Sequence, residues 1–107
     1  MTDEDAVSTP GVTHVVLVQW RDGTDPSAEA DAIAQEHLPL VDGVLSVSSG
    51  TSISTEGKEG DFDWMLVVGF RDRDALAGYL PHPEHRPVAE HIGANSERVV
   101  VFDVEGR

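Results

Sequence analysis

Cysteine is absent from this 107-residue chain. That excludes disulfides, a thiol nucleophile and any Cys-based metal site. Basic residues are scarce: seven Lys and Arg stand against twenty Asp and Glu, a formal net charge of −13. The balance excludes a nucleic-acid partner, whose affinity is built from clustered Lys and Arg, and argues equally against an anionic membrane surface. No apolar run approaches the roughly 18 residues that span a bilayer, so no membrane association is expected. A phosphate-cradling glycine loop is missing, since Gly57-Lys58-Glu59-Gly60 is acidic and too short, and no Gly-x-Ser-x-Gly occurs. The opening Met1–Pro10 is acidic and lacks the basic n-region of a signal peptide. These features predict a flexible acidic tail over 1–11, one domain over 12–107, and a cytoplasmic location.

What is present is a patterned α+β chain. Thr13–Trp20 is dense in Val and Leu and reads as a strand, with His14, Val16, Val18 and Trp20 on one face and Val15, Leu17 and Gln19 on the other. Being apolar on both faces, it is expected to be central. Asp25-Pro26 starts a helix to about His37, with Ala30, Ile33, Ala34, His37 and Leu38 as its inward stripe. Pro39 ends it, Asp42-Gly43 turns, and Val44–Ile53 reads as a Ser-rich second strand.

A polar loop over 54–60 leads to a third strand, Phe62–Phe70. Trp64, Leu66, Val68 and Phe70 share one of its faces, and Met65, Val67 and Gly69 the other. Asp72 is placed to cap a short helix bearing Leu76, Tyr79 and Leu80, which Pro81 breaks. His82-Pro83 starts another, with His85, Val88, Ala89 and Ile92 inward and Gly93 at its end. Arg98–Val104 is the last strand.

The order βαββααβ predicts a ferredoxin-like subunit: a four-stranded antiparallel sheet with its helices on one side. The other side is left bare although the central strands are apolar there. A homodimer packing two sheets face to face supplies the cover.

Chemistry concentrates in Tyr79-Leu-Pro-His-Pro-Glu-His85. His85 lies on an apolar stripe near a helix start, where the positive end of the dipole disfavours imidazolium, so a neutral, basic ring is expected. That suits a general base; the alternative is a buried His bonded to a backbone carbonyl. The Tyr79 hydroxyl could hold a developing enolate oxygen, or be a core aromatic with a wet edge. His82, ahead of Pro83, reads foremost as a capping residue. His14 shares its face with Val16 and Val18 and could enter the same pocket, or, at a strand end, serve a structural or dimer-rim role; Trp64 could line the pocket or the core. His37 is expected to be structural, and His91 to face outward. His82-x-x-His85 has a two-ligand spacing without a third ligand nearby, so no metal and no cofactor are expected.

With these pieces assembled, the chain resembles the stress-responsive dimeric α/β-barrel (Dabb) family over roughly His14–Val104. The resemblance is carried by the opening His14-Val-Val-Leu strand, Phe70-x-Asp72…Leu76-x-x-Tyr79, His82-Pro83-x-His85 and the closing Val-Phe-Asp strand. It implies a homodimeric barrel of ferredoxin-like subunits. Among catalytic members it is similar to polyketide cyclases of the olivetolic acid cyclase type, which close a poly-β-ketone by an intramolecular aldol step. That similarity implies Tyr79 and His85 as the catalytic pair and His14 as a pocket residue. Trp64 stands where those cyclases carry a pocket His, and the stretch Ala30–Ala34 lacks their first-helix aromatics.

The sequence therefore leads to a cofactor-independent cyclase or related lyase acting on a small apolar carbonyl compound. His85 and Tyr79 would be catalytic, with His14, Val16, Val18, Trp64, Leu66, Val68 and His82 around the substrate. Two other readings remain open. One is a non-enzymatic, stress-associated binding or structural dimer. The other is a cofactor-free or haem-type monooxygenase of the ferredoxin-like dimer class, although the strand-one Asn of those enzymes is missing.

Overall fold

Strict alternation shapes the first strand. In a computed structural model, which describes residues 11–106, β1 (Val12–Trp20) alternates buried and half-buried positions without a break. Then follow α1 (Ser27–His37), β2 (Val44–Gly50), β3 (Trp64–Phe70), α2 (Arg73–Tyr79), α3 (Arg86–Asn95) and β4 (Ser96–Glu105). The strands form one antiparallel sheet in the order β2-β3-β1-β4, so the two doubly apolar strands are the central ones. This is the ferredoxin-like arrangement expected from the element order.

Register decides which side chains meet. His14 stands opposite Val68 on β3 and Asp103 on β4; Val16 stands opposite Leu66 and Val101. These residues face the helices. The core between the layers is Val16, Val18, Leu66, Val68 and Phe70 against Ala30, Ala34, Leu38, Val88 and Ile92. Fully burying a side chain of the larger kinds contributes about 1.5–3 kcal/mol, so this layer carries most of the stability. The stripe read on α1 is inward as expected, with Ala30, Ala34 and Leu38 buried. The small side chains at Ala30 and Ala34 let α1 lie close to the sheet.

The opposite face of the sheet is apolar and uncovered. Met65 is 43 % exposed, Phe102 64 % and Val104 46 %. Val15, Leu17 and Val67 lie half-buried beside them.

Several element ends differ from the sequence reading, each for a local reason. β2 stops at Gly50, not Ile53. Beyond it the Ser52 hydroxyl bonds Glu59, and the Ser54 N–H is taken by the Ser52 oxygen, a side-chain pairing that competes with a ladder. β3 starts at Trp64, not Phe62. Phe62 instead lies under the Arg98 guanidinium, 4.4 Å from its ring centre, and Asp63 accepts the Trp20 N–H at 2.8 Å. Gly93 does not end α3, which runs on to Asn95. The Asn95 amide donates to the His91 carbonyl at 2.8 Å, and the Asn95 carbonyl accepts the Arg21 N–H at 2.9 Å. The helix then passes into β4 with no loop. The turn at Gly43 requires glycine: φ is +90°, and a Cβ there would collide with Ala75 on α2. The expected tail over 1–11 lies, but for Gly11, outside the described residues. Among the described residues, no helix is long and apolar enough to cross a membrane.

Candidate active site

The site forms where α2, α3 and the lower halves of β1 and β4 meet. Asp72 caps α2 by accepting the Ala75 N–H at 2.8 Å, which fixes the rotation that turns Tyr79 inward. Tyr79 is fully buried at the end of that helix. Pro81 then forces a turn. His82 caps a 3-10 turn over Pro83–His85, its Nδ1 accepting the Glu84 N–H at 3.0 Å. His82 is thus a capping residue, and it does not line the site cavity.

His85 closes the 3-10 turn and immediately precedes α3, rather than sitting one turn inside a longer helix. The reason is that Pro83 and Pro87 constrain both sides of it. Pro87, second in α3, has no N–H to donate, which costs nothing in a first turn. The His85 Nδ1 donates to the Leu80 carbonyl at 3.1 Å. That bond leaves Nε2 as the lone-pair nitrogen.

Tyr79 joins two imidazoles. Its ring centre is 4.5 Å from that of His85 and 5.4 Å from that of His14, with Phe70 edge-on at 5.0 Å. His14 is buried, and its Nδ1 pairs with an Asp103 carboxylate oxygen at 2.5 Å. A carboxylate at Nδ1 fixes that nitrogen as the donor and orients the ring.

These groups open on a cavity of about 670 Å³ whose wall is mostly apolar. His14, Tyr79, His85 and Asp103 supply polarity, and Val16, Leu66, Leu76, Val88, Ile92 and Val101 much of the rest. The size lies in the range of small-molecule sites. Burial pushes the Tyr79 hydroxyl well above its ordinary 10.0, and the nearby Asp103 charge adds to this, so it keeps its proton. Burial also lowers His85 below 6.5, with His14 adding a smaller push and the Leu80 carbonyl opposing both. A protonated phenol beside a neutral imidazole is an acid–base pair set for use near pH 7.

Of the residues read as pocket-forming, His14, Val16 and Leu66 are in the wall; Val18, Trp64 and Val68 are not. Val18 and Val68 are sealed in the sheet–helix core. Trp64 sits at the other end of the sheet against Trp20, 5.8 Å between ring centres, and donates its indole N–H to Asp31 at 2.8 Å. His91 does not face outward. It is half-buried and stands edge-on to Trp20, 6.2 Å between ring centres. His37, at the end of α1, pairs with Glu84 at 2.7 Å and so ties α1 to the turn that holds His85.

Sequence reasoning missed Asp103 as a site residue. Its signal was there in register terms: it falls on the helix-facing set of β4, directly opposite His14. Among the described residues, no three His, Asp or Glu side chains are gathered in a way that would hold a metal ion.

Comparison with known proteins agrees with this architecture. The model of the stress-responsive A/B barrel domain matches residues 12–106. The stress-response A/B barrel domain-containing protein HS1 of Arabidopsis thaliana is 24 % identical over 94 residues, covering 86 % of each chain. A dimeric ferredoxin-like protein of unknown function from Thermobifida fusca superposes with a TM-score of 0.78 at 18 % identity, covering 90 % of this chain and 91 % of that one. A hydroxynitrile lyase from Passiflora edulis superposes with a TM-score of 0.76 at 14 % identity, covering 88 % and 91 %. With nearly its whole length matched by the family model, this chain belongs to the stress-responsive A/B barrel domain (Dabb) family.

Proposed function

We propose that this protein is a homodimer that carries out cofactor-independent acid–base chemistry on a small, mostly apolar carbonyl compound, in the manner of a polyketide cyclase. The observation that carries the reading is the convergence of Tyr79, His85 and the Asp103–His14 pair on one apolar cavity of about 670 Å³. His85 Nε2 takes the proton from a carbon between two carbonyls. Tyr79 keeps its own proton and donates a hydrogen bond to the enolate oxygen that forms. The enolate carbon then attacks a second carbonyl of the same chain, and the protonated His85 returns its proton to the new alkoxide. The apolar wall holds the chain folded, which converts the ring closure into a well-oriented intramolecular step. The hydroxynitrile lyase among the structural neighbours is an enzyme with the same fold.

The dimer rests on the uncovered sheet face, whose apolar rows on β1, β3 and β4 are continuous and lie away from the cavity. Neighbours described as dimeric support it. A cytoplasmic location is part of the same proposal.

A second reading, a binding module without turnover, draws on the bond from His85 Nδ1 to the Leu80 carbonyl, which a purely structural His also makes. Deuterium exchange separates the two. With methyl β-ketooctanoate in D2O, the wild type is expected to accelerate exchange at the carbon between the carbonyls. His85→Ala, still folded by circular dichroism, is expected to abolish the acceleration and Tyr79→Phe to reduce it. Equal exchange with wild type and His85→Ala would remove the enzymatic reading and leave the binding module.

A further inference from the structure

The charges around the cavity narrow its ligand, on the premise that it is the carbonyl site proposed above. We propose that this site is selective for uncharged ligands and turns away carboxylates.

The wall contains one guanidinium, that of Arg73, and it is already engaged. Arg73 Nε donates to one Glu105 oxygen at 2.9 Å and Nη2 to the other at 2.8 Å, a two-pronged pairing between α2 and β4. The second carboxylate, Asp103, lies 41 % exposed beside the cavity, with His14 on one of its oxygens. An anionic ligand thus meets the Asp103 carboxylate in the wall, with Glu105 just behind Arg73, and, among the described residues, no unengaged Lys or Arg there.

The Arg73–Glu105 pair is exposed and so holds only weakly. That does not rescue an anion. A ligand carboxylate that takes the guanidinium displaces Glu105 into water beside it, exchanging one ion pair for another and adding a like charge. The net charge of −13 extends the same repulsion beyond the mouth. An uncharged ligand meets none of this and gains the apolar wall. Discrimination here comes from a repulsive element, and it needs no contact made specially to the neutral compound.

The test uses one scaffold in two charge states: β-ketooctanoate and its methyl ester, titrated into the 15N-labelled protein. The ester is expected to bind at least about tenfold more tightly than the acid at low salt, and the gap is expected to narrow as salt is raised. Glu105→Gln frees Arg73 and is expected to raise the acid's affinity severalfold while leaving the ester's unchanged. If the acid binds as well as the ester, selectivity by repulsion is overturned and the carbonyl site stands. If neither binds, both are overturned.

Discussion

The two ends of the helix-covered side of the sheet are built from similar parts and finished differently. At one end Trp20 and Trp64 pack together with His91 edge-on, and each indole N–H is taken: Trp20 by Ser27 at 2.9 Å, Trp64 by Asp31 at 2.8 Å. Asp31 also accepts the Ser49 hydroxyl at 2.5 Å. At the other end Tyr79, His14 and His85 also cluster, but around a hollow, and each imidazole is tethered through Nδ1, with the His85 Nε2 left over. Aromatic and imidazole rings close together therefore do not mark a site by themselves. What marks it is polar capacity left unspent beside space. A cleft of about 560 Å³ also opens beside Trp20, but both indole N–H groups are spent there; the tryptophan end gives stability, and the other end keeps reactive atoms oriented and available.

The strongest way to break this contrast is to remove packing at the tryptophan end. Trp64→Ala removes a buried indole and leaves Asp31 without that donor, and is expected to cost about 3–5 kcal/mol in denaturant unfolding. Tyr79→Phe, at the hollow end, is expected to stay within about 1 kcal/mol of wild type because it removes only one hydroxyl. Similar losses for both would erase the distinction. Next in size is the third apolar surface, the bare sheet face. Phe102→Asp places a charge in its middle and is expected to turn the proposed dimer into a monomer by sedimentation, with the cavity residues unaffected.

A smaller effect is pH-dependent and sharpens the hollow end. His85 in the fold binds its proton below 6.5, so the unfolded chain protonates first and stability falls as pH drops below about 6.5. The exchange activity is expected to fall over the same acid range, as the base is lost. Tyr79 gives the opposite limb. Raised above 10.0 in the fold, it keeps its proton when the unfolded chain loses it, so its contribution is lost above about pH 10. Replacing His85 by Ala should flatten the acid limb and leave the alkaline one. The smallest expected effect is ionic. With a net charge of −13, moderate salt should raise the melting temperature slightly by screening self-repulsion, at both ends alike.

Much of this contrast could be read from the chain, and the limits have physical causes. Runs apolar on both faces gave β1 and β3 as the central strands, and their period of two sorted the side chains into the correct faces. Asp72 as a cap was equally plain. Pairing across the sheet could not be read. Asp103 reaches His14 from 89 positions away, and only the β1–β4 register brings them together. Likewise Trp64, Val18 and Val68 share a strand face with His14 and Leu66, yet a face does not say which end the helices leave open. The path of α3 past Gly93 was hidden because the bonds of Asn95 that carry the helix onward reach across the fold to β1 as well as back to His91.

The most direct measurement of the central claim is a 1H–15N titration of the wild type with methyl β-ketooctanoate. The account predicts shifts concentrated at Tyr79, His85, Val101 and Asp103, with the indole N–H signals of Trp20 and Trp64 unmoved. Shifts centred on the two indoles, with the Tyr79–His85 region silent, would contradict it.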